Sequence, residues 1–327
     1  MLRRRRTHLL CLLLLLLVRL GLAFTFSSSS ENGGDGGGDD STCDTQALLG
    51  HAKGLRCNRL RAMMASDPTC AKAADGARRT ALHWIGGNAK IQSNTNAQEW
   101  EYLMGKSGFC AQVVLAFAGH GAIWMEDASG MLPLHWAAAN GMAEVATTML
   151  RAEAGGATEG EGELRRARFS MVEAREKTKG MTPLLVACAH NHLDVVRLLV
   201  LNKADINVLD DDGHTCLIKA AVNGRKDIVA FLLGTEARAN PRMRDSDSKL
   251  MWSACHYAVF AGRKEIVELL LRQDGCDLDM KDAKGLTPYA LAGVVPDRDE
   301  IRNLLVTVRI QSIQREHKVW VGEGDDL

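Results

Sequence analysis

Ten histidines and nine cysteines are the residues of this 327-residue chain with the greatest capacity for chemistry. An imidazole titrating near neutrality moves protons or ligates a metal, and a thiolate attacks carbonyls or holds zinc. Their spacing decides between these uses. His83, His135 and His256 each occupy the last place of a recurring four-residue cassette, so they read as parts of one repeated structural position. His190 and His192 are one residue apart, which places them on different helix faces or in a turn, a poor geometry for zinc. The cysteines form no C-x-x-C pair and show no metal-ligand spacing. No Gly-rich phosphate loop, nucleophile elbow or kinase signature is present. The sequence therefore predicts no catalytic residue, no cofactor site and no metal site.

The elements that carry these residues are set by an internal repeat. Leu132-Pro133-Leu134-His135 returns in altered form as Thr80-Ala81-Leu82-His83, Thr182-Pro183-Leu184-Leu185, Thr215-Cys216-Leu217-Ile218, Ser253-Ala254-Cys255-His256 and Thr287-Pro288-Tyr289-Ala290. Successive members of the third column lie 52, 50, 33, 38 and 34 residues apart. A Thr at the head caps a helix through its hydroxyl, and Pro just inside costs nothing because that N–H would have no partner. Each cassette therefore predicts a helix start. Small pairs follow (Ala137 and Ala138; Ala187 and Cys188; Ala220 and Ala221) and permit close approach of neighbours. Gly141, Gly224 and Gly262 then fall where a helix ends left-handed, with Asn191 in their place in one unit. A second helix is predicted in each unit from runs apolar at i, i+3 and i+4: Val195 to Leu199, Ile228 to Leu232, Ile266 to Leu270 and Ile301 to Leu305. Connections such as Ala204-Asp205-Ile206-Asn207 close the unit.

A period near 33 carrying T-P-L-H-x-A at fixed phase resembles the ankyrin repeat. That resemblance implies an all-α solenoid of stacked helix-turn-helix units with short β-hairpin fingers, in which the cassette histidine makes structural hydrogen bonds to the cassette Thr and to neighbouring turns. The sequence departs from that column at Leu185, Ile218 and Ala290. About seven units are expected over residues 44–316, near 44–75, 76–126, 127–178, 179–211, 212–247, 248–282 and 283–316, the first an atypical cap broken at Asp67-Pro68, with a polar tail at 317–327. The family also implies a concave protein-binding surface built from finger tips and the exposed turn of each inner helix. Matched positions are Ser129, Met131, Ala139 and Asn140; Lys179, Met181, Ala189 and His190; Asp212, His214, Val222 and Asn223; Phe260 and Ala261; Lys284 and Leu286. Met131, Met181, Val222 and Phe260 make this surface partly apolar, which favours a peptide or folded-protein epitope over a small molecule. The expected function is a non-catalytic scaffold or adaptor. A compartment-specific chaperone or targeting factor, or a regulatory subunit of an enzyme, stays open.

Two units are long by nearly twenty residues, at about 87–106 and at 152–178. Both are expected as surface loops, since solenoid insertions map to loops. The sharper alternative is a binding appendage, with Leu164, Phe169, Met171 and Val172 giving the second insert a partly apolar helix. Charge is balanced at 40 basic and 40 acidic residues, and no nucleic-acid-binding signature occurs, so no nucleic-acid partner is expected. The basic group Arg238, Arg242 and Arg244 and the acidic run Asp210 to Asp212 read as solvated turn residues. Arg3 to Arg6 followed by an apolar run from Leu9 to Val18 reads as a signal peptide over residues 1–26. A signal anchor, the only reading that brings in a membrane, a plastid leader and a cytoplasmic chain stay open. Residues 27–43 read as a Ser/Gly/Asp-rich linker. Cys188, Cys216 and Cys255 stand in small or apolar columns and are expected as buried free thiols. Cys43, Cys57, Cys70 and Cys110 are open to disulfides in an oxidising lumen.

Overall fold

The computed structural model describes residues 43–87, 97–155, 170–234, 237–245 and 250–322. The leader, most of the linker, Leu164, Phe169 and the last residues of the tail lie outside them. Among the described residues, seven helix pairs follow one another. The first helices of the pairs are α1 (Thr45–Lys53), α3 (Ala81–Gly86), α5 (Pro133–Ala139), α7 (Pro183–His190), α9 (Cys216–Val222), α11 (Ala254–Phe260) and α13 (Pro288–Val294). Their partners are α2 (Cys57–Ser66), α4 (Ala97–Ala118), α6 (Ala143–Gly155), α8 (Leu193–Leu201), α10 (Lys226–Leu233), α12 (Lys264–Arg272) and α14 (Asp299–Gly322). Each first helix packs on the first helix of the next pair, and each second helix on the next second helix, giving an inner row and an outer row. One continuous apolar core runs from Leu48 to Leu305. No pair could bury its apolar face alone, so the stability of each lies in its neighbours.

The cassette starts its helix in two chemically distinct ways. Where its last residue is apolar, the head hydroxyl accepts from the backbone N–H three residues on: Thr182 from Leu185 (3.5 Å), Thr215 from Ile218 (3.2 Å) and Thr287 from Ala290 (3.2 Å). Where it is histidine, ring Nδ1 accepts from the head residue's own backbone N–H: His83 from Thr80 (3.1 Å), His135 from Leu132 (3.1 Å) and His256 from Ser253 (3.4 Å). That arrangement leaves Nε2–H to donate into the following unit, to Met131 O (3.0 Å), to Met181 O (3.2 Å, shared with Ala174 O of its own unit at 3.1 Å) and to Leu286 O (3.3 Å) respectively. The histidine is a strap between units, and an apolar residue there forgoes the strap.

The fingers are tight turns rather than strands: among the described residues only two isolated bridges form, Ala74 with Thr80 and Arg244 with Ser253. An acid at the root of each turn replaces a ladder. Asp75 accepts from the N–H groups of Ala77 and Arg79, Asp127 from Ser129 and Met131, Asp210 from Asp212 and His214, and Asp282 from Lys284 and Leu286. Neighbouring fingers join by single backbone bonds, Ala128 N–H to Ala77 O, Lys177 to Ser129 and Asp211 to Lys179.

Two features depart from the sequence expectation. Residues 97–106 of the first insert are the opening turns of α4, a 22-residue helix, and not a loop, because the outer row offers α2 and α6 as packing partners. In the second insert, Met171 and Val172 form a 3-10 turn buried in the array, so they are not offered to a partner. The carboxyl-terminal helix α14 runs to Gly322, within the residues expected as a polar tail and compatible with that reading. The thiols also depart: Cys188 pairs with Cys216 and Cys255 with Cys276, where free thiols were expected, and Cys43 pairs with Cys70 and Cys57 with Cys110. Columns of small residues face each other across stacked units, which is what brings Cys188 of α7 to Cys216 of α9. No described helix is long and apolar enough to cross a membrane.

Candidate functional site

The inner helices and fingers place the sixteen sequence-predicted positions at or near the surface. Lys179, His190, Asp212, Asn223, Phe260 and Lys284 are exposed, and Ser129, Met131, Ala139, Asn140, Met181, Ala189, His214, Val222, Ala261 and Leu286 are half-buried. They fall into two groups. Ser129, Met131, Lys179, Met181, Asp212, His214, Lys284 and Leu286 belong to finger turns, while Ala139, Asn140, Ala189, His190, Val222, Asn223, Phe260 and Ala261 stand at the carboxyl ends of inner helices. Several also have structural duties. The Asn140 amide donates to Trp136 O (2.8 Å) and that of Asn223 to Lys219 O (2.9 Å), closing their helices.

A further column, four residues after the cassette head, was not singled out by sequence reasoning. Trp136, Lys219 and Tyr257 lie half-buried there and reach back to the finger acids. Trp136 Nε1 donates to Asp127 (3.0 Å), Lys219 pairs with Asp210, and the Tyr257 hydroxyl donates to Asp245. Trp252 Nε1 does the same for Asp282 (3.0 Å). Asp127 and Asp210 thus spend one oxygen on their own turn and one on a side chain from the floor, whereas Asp75 gives its second oxygen to Arg79 of its own turn. The signal was available, because a residue four beyond the head lies one helical turn along the same face. Around this column rings gather: Trp252 stands 5.1 Å from Tyr257 and 5.0 Å from Phe260, and His214 stands 5.3 Å from Tyr257, centroid to centroid. At the amino end, Lys53 and Arg79 stack on the Trp84 ring at 3.7 Å and 4.2 Å.

The cassette histidines face main-chain carbonyls and not each other, whereas the rings of His190 and His192 stack 6.4 Å apart. Burial drives the His135 imidazole down to about 4, against hydrogen bonds to Met181 and Ala174 that raise it, and burial also lowers His83 and His256. They are neutral donors at physiological pH. Among the described residues, one cluster has ligand-like donors, Asp210, Asp212 and His214, with atoms within 4.8 Å of one another. Two of its three groups are already engaged, since Asp210 holds two backbone N–H groups and Lys219 while His214 Nε2 meets the Tyr257 hydroxyl at 3.0 Å. What the face supplies is aromatic, apolar and amide contact area spread over several units.

Comparison with known proteins converges on the same unit. A family of ankyrin repeats (3 copies) matches residues 163–245, and a single ankyrin repeat matches 251–283. The Ankyrin repeat and SAM domain-containing protein 6 of Rattus norvegicus is 36% identical over 107 residues, 32% of this chain and 12% of that protein. Ankyrin repeat protein nuc-2 of Neurospora crassa is 34% identical over 132 residues, 40% of this chain and again 12% of the relative. The chain therefore spans about an eighth of the length of these curated relatives. Among solved structures, the human ASB11 ankyrin repeat domain superposes with a TM-score of 0.58 at 19% identity, covering 80% of this chain and 96% of that one. The ankyrin repeat domain of Bcl-3, a member of the IkappaB protein family, gives 0.55 at 21% identity, covering 75% and 92%. At these identities the structures speak to the fold alone.

Proposed function

This chain is an ankyrin-repeat protein, and from that premise we propose that it is a non-catalytic scaffold that binds a protein partner on the face made by its inner helices and fingers. Ankyrin repeats generally mediate protein–protein interaction. The observation that carries the reading is the set of partly exposed apolar residues on fingers and inner-helix ends, Met131, Met181, Val222 and Phe260, the last 49% exposed and packed at a tilt against Trp252. A rigid aromatic anchor beside aliphatic contacts and satisfied amides is how protein epitopes are held, with the energy concentrated in a few residues. Two charges placed there would each face desolvation on binding.

The test is co-purification of the tagged chain from its own cells, with the paired substitution Phe260→Asp and Val222→Asp. The wild type retains a stoichiometric protein that the double variant loses, with circular dichroism unchanged. Retention of that protein by a folded double variant overturns the assignment of this face. The compartment-specific chaperone or targeting factor keeps support as a second reading from the four disulfides, which persist in oxidising compartments. The sign of that reading is a partner bound only in its unassembled form.

A further inference from the structure

We propose that the cleft between the outer helices α2 and α4 is a second docking site, separate from the inner face, for an acidic peptide segment carrying an aromatic or aliphatic side chain. The first insert creates it. Outer helices α8, α10 and α12 have 9, 8 and 9 residues, whereas α4 has 22, and its added turns bring Tyr102 and Lys106 over the start of α2. The floor is Leu55 and Cys57, both buried, and the Cys57–Cys110 disulfide ties the two helices beneath it. The walls include Tyr102 and Phe109, seven residues apart and so on one face of α4, exposed by 65% and 44%. The recess measures about 300 Å³, room for one large side chain.

The rim is basic. Arg56, Arg59 and Lys106 line the cleft, and among the described residues no ion pair engages any of them. Lys106 Nζ rests 5.7 Å from the Tyr102 ring centroid. In a chain with 40 residues of each charge, three unpaired cations around one aromatic recess are a local property and not an overflow of net charge. Charge complementarity selects carboxylates, and the recess selects an apolar side chain between them. A flat anionic membrane would reach the cations but leave the floor unused.

The probe is a fluorescein-labelled peptide, DEDFEELD, with its charge-reversed counterpart KRKFKKLK, read by fluorescence anisotropy on the full disulfide-bonded chain. The acidic peptide binds saturably and the basic one does not. The double variant Arg56→Glu with Arg59→Glu weakens binding about tenfold or more, and Tyr102→Ala weakens it by about fivefold, as loss of a steering rim and of an aromatic wall requires. The same charge change at a distant exposed lysine, Lys226→Glu, leaves the affinity unchanged. Absence of saturable binding to the wild type overturns the site. So does an affinity indifferent to the double variant in folded protein, and so does displacement of the peptide by phosphatidylserine vesicles that bind more strongly.

Discussion

At the scale of the residue, the cassette histidines set a pH limit on the fold. His83, His135 and His256 are buried as neutral rings that donate from Nε2 to a neighbouring unit's carbonyl. Their folded values lie below the ordinary 6.5, His135 at about 4. The unfolded chain therefore binds more protons between those values, so stability is complete above about pH 6.5 and declines as pH falls toward 4, by on the order of 3 kcal/mol for His135. A second decline follows at lower pH. Burial works to raise Glu176, Asp75 and Asp282, but hydrogen bonds outweigh it, led by the Thr178 hydroxyl at Glu176, the Arg79 N–H at Asp75 and the Trp252 indole at Asp282 and joined by the N–H groups of their turns, and hold them below the usual carboxylate range. Urea midpoints measured across pH 8 to 4 should fall below 6.5, and His135→Gln should lower the midpoint at pH 7 while flattening that slope. An unchanged slope would show that His135 titrates normally. The position of these histidines was legible in the sequence because spacing places them, and their structural role followed from the resemblance to the ankyrin repeat. The finger acids and their side-chain partners were not, since the link from Asp127 to Trp136 or Asp245 to Tyr257 depends on where each finger folds back.

At the scale of the element, helix ends decide register between units. Gly141 has φ of +70°, and a Cβ there would stand 2.5 Å from Nδ1 of His192, whose Nε2 donates to Ala139 O at 3.0 Å. Both the backbone and the contact oppose any side chain, so Gly141→Ala should cost about 1 to 2 kcal/mol in urea denaturation. Asn191 holds the same kind of turn at φ of +68°. Asn191→Gly should be neutral within about 0.5 kcal/mol, because asparagine already tolerates that conformation. Equal losses at both sites would remove the contact with His192 as the cause. These stops were readable from the repeat. The length of α4 was not: residues 97–106 are polar enough to read as a loop, and what makes them helical is the groove between α2 and α6. Met171 and Val172 misled for the same reason, their burial being imposed by the array rather than by local pattern.

At the scale of the molecule, the array is strapped covalently. Cys43–Cys70 and Cys57–Cys110 fasten the first units, Cys188–Cys216 joins two inner helices, and Cys255–Cys276 closes a later unit. Closed loops of 21 to 53 residues each restrict the unfolded chain by roughly 3 to 4 kcal/mol in the loop-entropy account. Reduction should lower the midpoint of thermal unfolding markedly, and non-reducing peptide mapping should return these four pairs. An unchanged midpoint after complete reduction would mean the straps add nothing. Because solenoid units are coupled only to neighbours, the loss should spread outward from the broken strap. The fold itself was legible because four columns repeat in phase. The pairing of cysteines was not, as it depends on which columns face across the stack.

The claim on which the rest depends is that a protein sits on the inner-helix and finger face. Hydrogen exchange of the full chain, free and in complex with the protein that co-purifies with it, tests this most directly. Protection should concentrate in the peptides holding Met131, Met181, Val222 and Phe260, with the outer helices α8, α10 and α12 unchanged. Protection confined to the outer row, with the inner strip exchanging as in the free chain, would contradict the account.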